Sequence, residues 1–370
     1  MASVHGSGSL RRSVEVEYWV IDDEGRLVEP GKLLDAAAGV EREFVEPLLE
    51  IKTTPCETTT ELRVELFDRI RRVLDRADEL GKGLVPTATP LNHGTIEDIP
   101  DERTQIQATL VGEDFEYVRH CAGTHIHVEQ QPGRKRQQFN ALVAIDPALA
   151  LVNSSPHFRG REIAVGARSK LYRRMAYRDL PHQGRLWQYL DTEAEWDRRL
   201  ERRYEEFETA ALNCGIDRTT LASCFTPESA VWTPVKFREP FGTVEWRAPD
   251  TALPSQVVQL ADDVAGIIEC VGDREVRRGS ETPGITDDAV VVPEFADVLE
   301  HVDSAIESGL SADVRSYLDA MGFDVDGYEP LSETLQKQDA STPEAARRLR
   351  LEWAKRLESD VRRASSVGVT

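Results

Sequence analysis

The ionisable residues that could do chemistry fall in four short alternating runs. Glu15 and Glu17 lie in Ser13-Val14-Glu15-Val16-Glu17-Tyr18, and Glu50 lies in Leu48-Leu49-Glu50-Ile51-Lys52 with Glu46 just upstream. His125, His127 and Glu129 alternate with Ile126 and Val128, and Thr243, Glu245 and Arg247 alternate with Val244 and Trp246. Side chains two apart on a strand share a face, so each run turns apolar groups one way and ionisable groups the other. One such run is ordinarily the wet side of a sheet. Four runs concentrated in carboxylate and imidazole, rather than in Thr, Lys, Ser and Gln, point elsewhere. Glu15, Glu17, Glu50 and Glu245 on one face would repel one another unless a cation lay between them. Mg²⁺ and Mn²⁺ favour carboxylate oxygens, and Mn²⁺ accepts imidazole more readily. The pattern therefore predicts a site for two or more divalent ions in a sheet-floored cleft, with His127 at the margin of the ligand set. Arg247 would face the same cavity, where a guanidinium can hold a phosphate and stabilise a transferring phosphoryl group. The usual nucleotide signatures are missing: there is no G-x-x-x-x-G-K-[ST], and Gly6-Ser7-Gly8 lacks a third glycine. ATP would have to be held through metals and arginines.

The elements that must carry these residues read as strands and helices without a regular βαβ rhythm. Asp22-Asp23-Glu24-Gly25 reads as a turn after the first strand, and Pro55 ends the second. Thr58-Thr59-Thr60-Glu61 has capping-box spacing and opens a helix carrying Leu62, Leu66, Ile70, Val73 and Leu74, which Gly81 stops. Gly83–Thr89 reads as a short buried strand, 137–153 as an apolar helix, and 154–190 as a Gly- and Arg-rich loop. Thr192 opens a charged amphipathic helix, Pro254–Val271 is another helix, and Thr342-Pro343 caps the last one. The fold class expected is α+β, a mostly antiparallel sheet with helices on its back. The organisation expected is a flexible tail over 1–12 and one catalytic domain over 13–370, with 272–370 mostly helical.

Composition narrows the function classes. The chain has 370 residues, 40% of them hydrophobic, enough for a large core. No apolar run approaches the roughly 18 residues that cross a bilayer, and Asp146-Pro147 breaks the longest. The first 12 residues lack the apolar stretch of a signal peptide. Net charge is −21, from 66 acids against 45 bases, only eight of which are Lys. That balance excludes general nucleic-acid or anionic-membrane binding, which needs clustered bases. It suits a high-salt cytoplasm, where screening suppresses self-repulsion. The five cysteines are odd in number and form no C-x-x-C pair, so neither a disulfide framework nor a zinc knuckle is expected. Self-association stays open.

Taken in order, V-E-V-E at 14–17, E-x-x-x-E-I at 46–51, G-T-H-I-H-V at 123–128, N-S-S-P-H-F-R-G at 153–160 and F-G-T-V-E-W-R-A-P-D-T at 241–251 resemble the glutamate–cysteine ligase type 2 family. The resemblance covers roughly residues 13 to 270, and its last motif is the most specific. It implies a glutamine synthetase catalytic-domain-like cradle that binds Mg-ATP and glutamate. It implies that ATP phosphorylates the γ-carboxylate of glutamate and that the amine of cysteine then displaces phosphate, giving γ-glutamylcysteine. Carried over residue by residue, Glu15, Glu17, Glu50, His127 and Glu245 look like metal ligands. Arg247 looks like the phosphate-stabilising arginine, and Arg168 like a substrate or phosphate contact. With the acidic, Lys-poor composition, the chain looks most like the haloarchaeal branch.

The family's usual Asp/Asn-x-Arg strand reads Trp232 to Arg238 here with one extra residue, which leaves Lys236 or Arg238 for the arginine's part. His125 is expected to be structural and Cys121 part of the core. Asp250 is expected at a turn or behind the primary ligands. Arg173, Arg174 and Arg178 are secondary candidates for reaching a triphosphate. Three other readings remain: a ligase using a different amine, a metal-dependent hydrolase built on His125-x-His127, and a non-catalytic nucleotide or metal binder.

Overall fold

The computed structural model describes residues 9–279 and 282–367. Residues 1–8 of the expected tail lie outside that set, and Arg12 is already the buried first residue of a strand. Strand β1 (Arg12–Asp22) is the axis of a seven-stranded sheet that also holds β2 (Val40–Arg42), β3 (Leu48–Lys52), β4 (Lys82–Val85) and β5 (Thr124–Glu129). A separate pair, β6 (His157–Phe158) and β7 (Arg161–Glu162), precedes the last two strands of the main sheet, β8 (Val235–Arg238) and β9 (Thr243–Trp246). The spatial order is β2-β3-β1-β5-β9-β8, and β4 pairs with the far half of β1. All pairings in this sheet are antiparallel, so the α+β architecture is the one expected.

One face of the sheet is apolar throughout. Val14, Val16, Tyr18 and Val20 are fully buried there with Ile126, Val244 and Trp246. Helix Thr59–Leu80 packs against them through Leu62, Leu66, Ile70 and Val73, and helix Pro254–Asp273 through Val257, Ala261, Val264 and Ile268. The first of these helices forms because Thr58 and Glu61 complete a capping box and Gly81 ends it at φ 64°. Helix Glu193–Asn213 lacks the side-chain cap that Thr192 predicts; the Glu195 carboxylate accepts from the Asp191 N–H instead.

The other face changes character along β1. Glu15 and Glu17 lead into Trp19 and Ile21, which are buried in a second apolar cluster with Leu335, Leu349 and Trp353. The helix Pro343–Val367 therefore covers this end of the face, and the polar stretch is confined to a basin beside it. Three expectations need correction. The apolar helix stops at Ala144 and continues as a 3-10 turn over Asp146–Val152, because Pro147 removes a backbone donor. The 154–190 loop contains a short helix Ala167–Lys170 and a π-turn Leu171–Met175. The C-terminal part also holds a small sheet of β10 (Glu275–Arg278), β11 (Gly284–Ile285) and β12 (Ala289–Val292), where the β-branched run Val290-Val291-Val292 favours a buried strand. Among the described residues no helix is long and apolar enough to cross a membrane.

Candidate active site

Register brings the four runs into one place. Glu17 lies opposite Glu50, Glu15 opposite Lys52 and His125, and His127 opposite Glu245, which in turn faces Lys236. Strand β1 changes neighbour at Glu17: β5 ends its pairing at Val16 and β4 begins at Trp19. The Glu17 carboxylate fills that gap by accepting from the Gly123 N–H at 2.6 Å. A methyl group at Gly123 would run into the Arg168 guanidinium and force that side chain to shift.

Three overlapping sets of ligand atoms result, each within 4.8 Å: Glu15–Glu50–His125, Glu15–His127–Glu245 and Glu17–Glu43–Glu50. Two members lie outside the ligand set read from the sequence. Glu43 lines the cavity, whereas Glu46 is exposed, because the chain leaves strand geometry between them and the two-residue alternation does not carry through. His125 was expected to be structural; its Nδ1 lies 3.0 Å from Glu15, and its Nε2 lies 4.0 Å from Glu17. Its signal in the sequence was its place two residues from His127 on the same strand face.

The electrostatics of the cluster fit a divalent cation. Burial opposes ionisation of Glu15, yet the His125 ring bonded to it at 3.0 Å and the neighbouring His127 hold its carboxyl well below the usual range. Burial likewise opposes ionisation of Glu245, but Arg247 and the two histidines keep it ionised. On the opposite side burial and the Glu17 charge push Glu43 up to about 8, and burial with the charges of Glu43, Glu15 and Glu17 pushes Glu50 up as well. Among the described residues Lys52, at 2.8 Å, is the one cation bonded to Glu50, and Glu41 shares it at 2.9 Å. A metal ion in the basin would supply the charge these carboxylates need. The histidines are prepared for it. Burial and the nearby Arg247 charge lower the His125 pKa, which favours the neutral ring that can ligate. His127 meets Thr243 Oγ1 through Nδ1 at 3.1 Å, while its buried Nε2 has no hydrogen-bond partner and lies 3.6 Å from both Glu15 and Glu245. Donation from Nδ1 to Thr243 leaves the Nε2 lone pair aimed between two carboxylates, the arrangement of a metal-ligating imidazole.

The basin opens into a cavity of about 610 Å³. Arginines ring it. Arg247 bonds Glu245 closely, and Arg238 reaches the other Glu245 oxygen at 3.3 Å. Arg168 is buried with its guanidinium on the carbonyls of Ala248 (3.0 Å) and Arg247 (3.4 Å), leaving Nε without a partner. Of the two residues left open on β8, Arg238 lines the cavity, whereas Lys236 is buried with its ammonium 3.0 Å from the Glu228 carbonyl. Burial and the charge of Arg247 lower Lys236 to about 8. Arg173 is bound to Asp146 by two contacts of 2.6 and 3.0 Å, Arg174 pairs with Asp303, and Arg178 pairs with Asp114. Asp250 is buried behind the site, accepting from the Ser154 N–H at 2.9 Å, and burial pushes it up to about 7. Cys121 lines the cavity and is buried, which pushes its thiol up to about 12. The wall the sequence did not reveal is aromatic: Phe44, Phe115, Tyr172, Tyr177, Trp232 and Phe241. A hydrolase built on His125-x-His127 would need a later histidine in the ligand set, and His157, His182 and His301 lie outside both the ligand clusters and the cavity lining, His301 stacked on Tyr317 at 4.3 Å.

The chain is 26% identical over 297 residues to "Putative glutamate--cysteine ligase 2-1" of Frankia casuarinae, spanning 75% of this chain and 71% of that one. It is 25% identical over 253 residues to "Putative glutamate--cysteine ligase 2" of Chloroflexus aggregans, spanning 65% of this chain and 58% of that one. Its fold resembles a bifunctional glutathione synthetase from Pasteurella multocida, with a TM-score of 0.56 at 13% identity over 95% of this chain and 53% of that one. The family model described as Glutamate-cysteine ligase family 2 (GCS2) matches residues 13–280. The chain belongs to that family, whose members point to carboxylate–amine ligase chemistry.

Proposed function

We propose that this protein joins the γ-carboxylate of L-glutamate to the amine of L-cysteine at the expense of ATP, giving γ-glutamylcysteine, ADP and phosphate. The observation that supports this most is the convergence of Glu15, Glu17, Glu43, Glu50, Glu245, His125 and His127 on one basin beside Arg247 and Arg238. Mg²⁺, or Mn²⁺, held by those carboxylates and imidazoles would neutralise triphosphate charge and draw it onto the sheet.

The residues of the chain divide the remaining work. A γ-carboxylate oxygen of glutamate attacks the terminal phosphorus of ATP and ADP leaves, so charge grows on the transferring group. Arg247, half-buried against Glu245 and held protonated by that carboxylate, is placed to receive this charge without reorganising. Arg238 and Arg168 are further anion contacts on the same wall. The cysteine nitrogen then attacks the acyl carbon, phosphate departs, and the nitrogen gives up a proton. Aromatic side chains such as Tyr172, Tyr177 and Trp232 line the cavity beside this path, where keeping water away would protect the acyl phosphate from hydrolysis.

The test is chromatographic detection of γ-glutamylcysteine and ADP in equal amounts from glutamate, cysteine and Mg-ATP in molar KCl. ADP release that shows no preference for cysteine among amines defeats the choice of amine while leaving the ligase reading. Binding of ATP with no turnover for any amine defeats the ligase reading.

A further inference from the structure

Large hydrophobic side chains exposed on this molecule include Val64, Leu212 and Phe241, and of these three Phe241 alone lines the cavity. It is 63% exposed. It stands at the tip of the β8–β9 hairpin, in the turn Glu239–Phe241 that Gly242 closes at φ 63°. That tip is tied down on both sides: the Gly242 N–H bonds Glu239 O at 3.1 Å, and Gln130 donates to Gly242 O and Thr243 O at 2.9 Å each. The backbone of the tip is therefore held in place while most of the ring stays exposed. Arg238 lies over the ring at 5.0 Å, and His127 meets it edge-on at 6.3 Å. Both neighbours belong to the basin, Arg238 through its contact with Glu245 and His127 as a candidate ligand.

Exposed aromatic surface on an anchored turn, beside a guanidinium and facing a cavity, is a platform for a flat heterocycle. Resting on the ligase reading above, only one reactant has such a face. Glutamate and cysteine carry no planar apolar group, whereas ATP carries a purine at one triphosphate length from its reacting phosphorus. The chain also lacks both the P-loop and the G-x-G-x-x-G motif, so the base needs some other hold. We infer that Phe241, with Arg238 beside it, is the stacking platform for the nucleobase of ATP, placing the base at the cavity rim and the triphosphate over the carboxylates.

Calorimetric titration of the full chain in molar KCl with Mg²⁺ tests this, using ATP and inorganic tripolyphosphate as probes with and without a base. Phe241→Ala is expected to weaken ATP about tenfold, within the range for loss of one aromatic stack, and to leave tripolyphosphate within about twofold. Phe241→Trp is expected to keep ATP binding. Equal weakening of both probes by Phe241→Ala, or ATP binding unchanged by it, overturns the platform. A wild-type protein that binds no ATP overturns the ligase reading, and the platform with it. Thermal melting of both variants checks that the exposed position has not disturbed the fold.

Discussion

Arg247 and Glu245 face the same demand from opposite sides. The half-buried Arg247 guanidinium without Glu245 would lose its main counter-charge, and Glu245 without Arg247 would lose the strongest influence keeping it ionised. Arg247→Ala is expected to lower turnover by about 10³-fold or more, with glutamate binding retained in a direct titration. Glu245→Gln should lose metal and turnover together, read by Mn²⁺ titration beside the coupled ADP assay. A different residue carries the pH prediction. Asp263, on the helix behind the sheet, is pushed up to about 6 by burial and by Asp262 and Asp324, against the hydrogen bond it accepts from Tyr328 at 2.6 Å. An unfolded aspartate titrates at about 3.9. The folded state thus binds the proton more tightly, and stability falls as pH rises from near 4 through 6. Asp263→Asn should therefore melt above wild type at pH 7.5, with the gap closing below pH 4. An equal gap at both pH values would show that ionisation is not the cause.

At the scale of elements, strand register decides the site. A shift of one residue between β1 and β5 would turn His125 and His127 into the helix layer and destroy the basin. Two devices hold the register. One is the Glu17 carboxylate on the Gly123 N–H, at the point where β1 changes neighbours. The other is the close approach of Arg168 to Gly123. Gly123→Ala should cost about 1–3 kcal/mol as overpacking and displace Arg168, so the melting temperature and the affinity for anionic substrates should fall together. The E-x-E and H-x-H alternations made these strands legible one at a time. Glu43 was not legible, since the turn through Glu46 and Pro47 breaks the alternation that would have marked it.

Across the whole molecule, the family match ends at residue 280 but the structural unit does not. Trp353, buried on the C-terminal helix, closes the end of the face that begins with Glu15 and Glu17, packing in one cluster with Trp19 and Ile21. Gly25 meets that helix so closely that a β-carbon would lie 2.5 Å from the Arg347 carbonyl. Trp353→Ala should cost about 3–5 kcal/mol, read as a lower denaturation midpoint. The net charge of −21 predicts a second global property. Screening shortens the reach of repulsion to about 3 Å at 1 M salt, so the unfolding midpoint should climb steadily with KCl. Full stability in dilute buffer would sink the high-salt reading.

The sequence by itself determined the local facts: which strands put carboxylate and imidazole on one side, where Thr58 and Gly81 bound a helix, and how acidic the surface is. Period and capping act between near neighbours, so one chain suffices to read them. It did not determine that the strand bearing Glu15 lies between those bearing Glu50 and His125, nor that Arg238 rather than Lys236 reaches the cavity. The strand order depends on pairing between segments distant in the chain, more than a hundred residues apart for Glu15 with His125 and His127 with Glu245, and the choice of Arg238 depends on how that sheet packs around the cavity. Only the closed sheet and the packing on both its faces select that pairing, because burying Val14, Val16 and Tyr18 on one side commits Glu15 and Glu17 to the other.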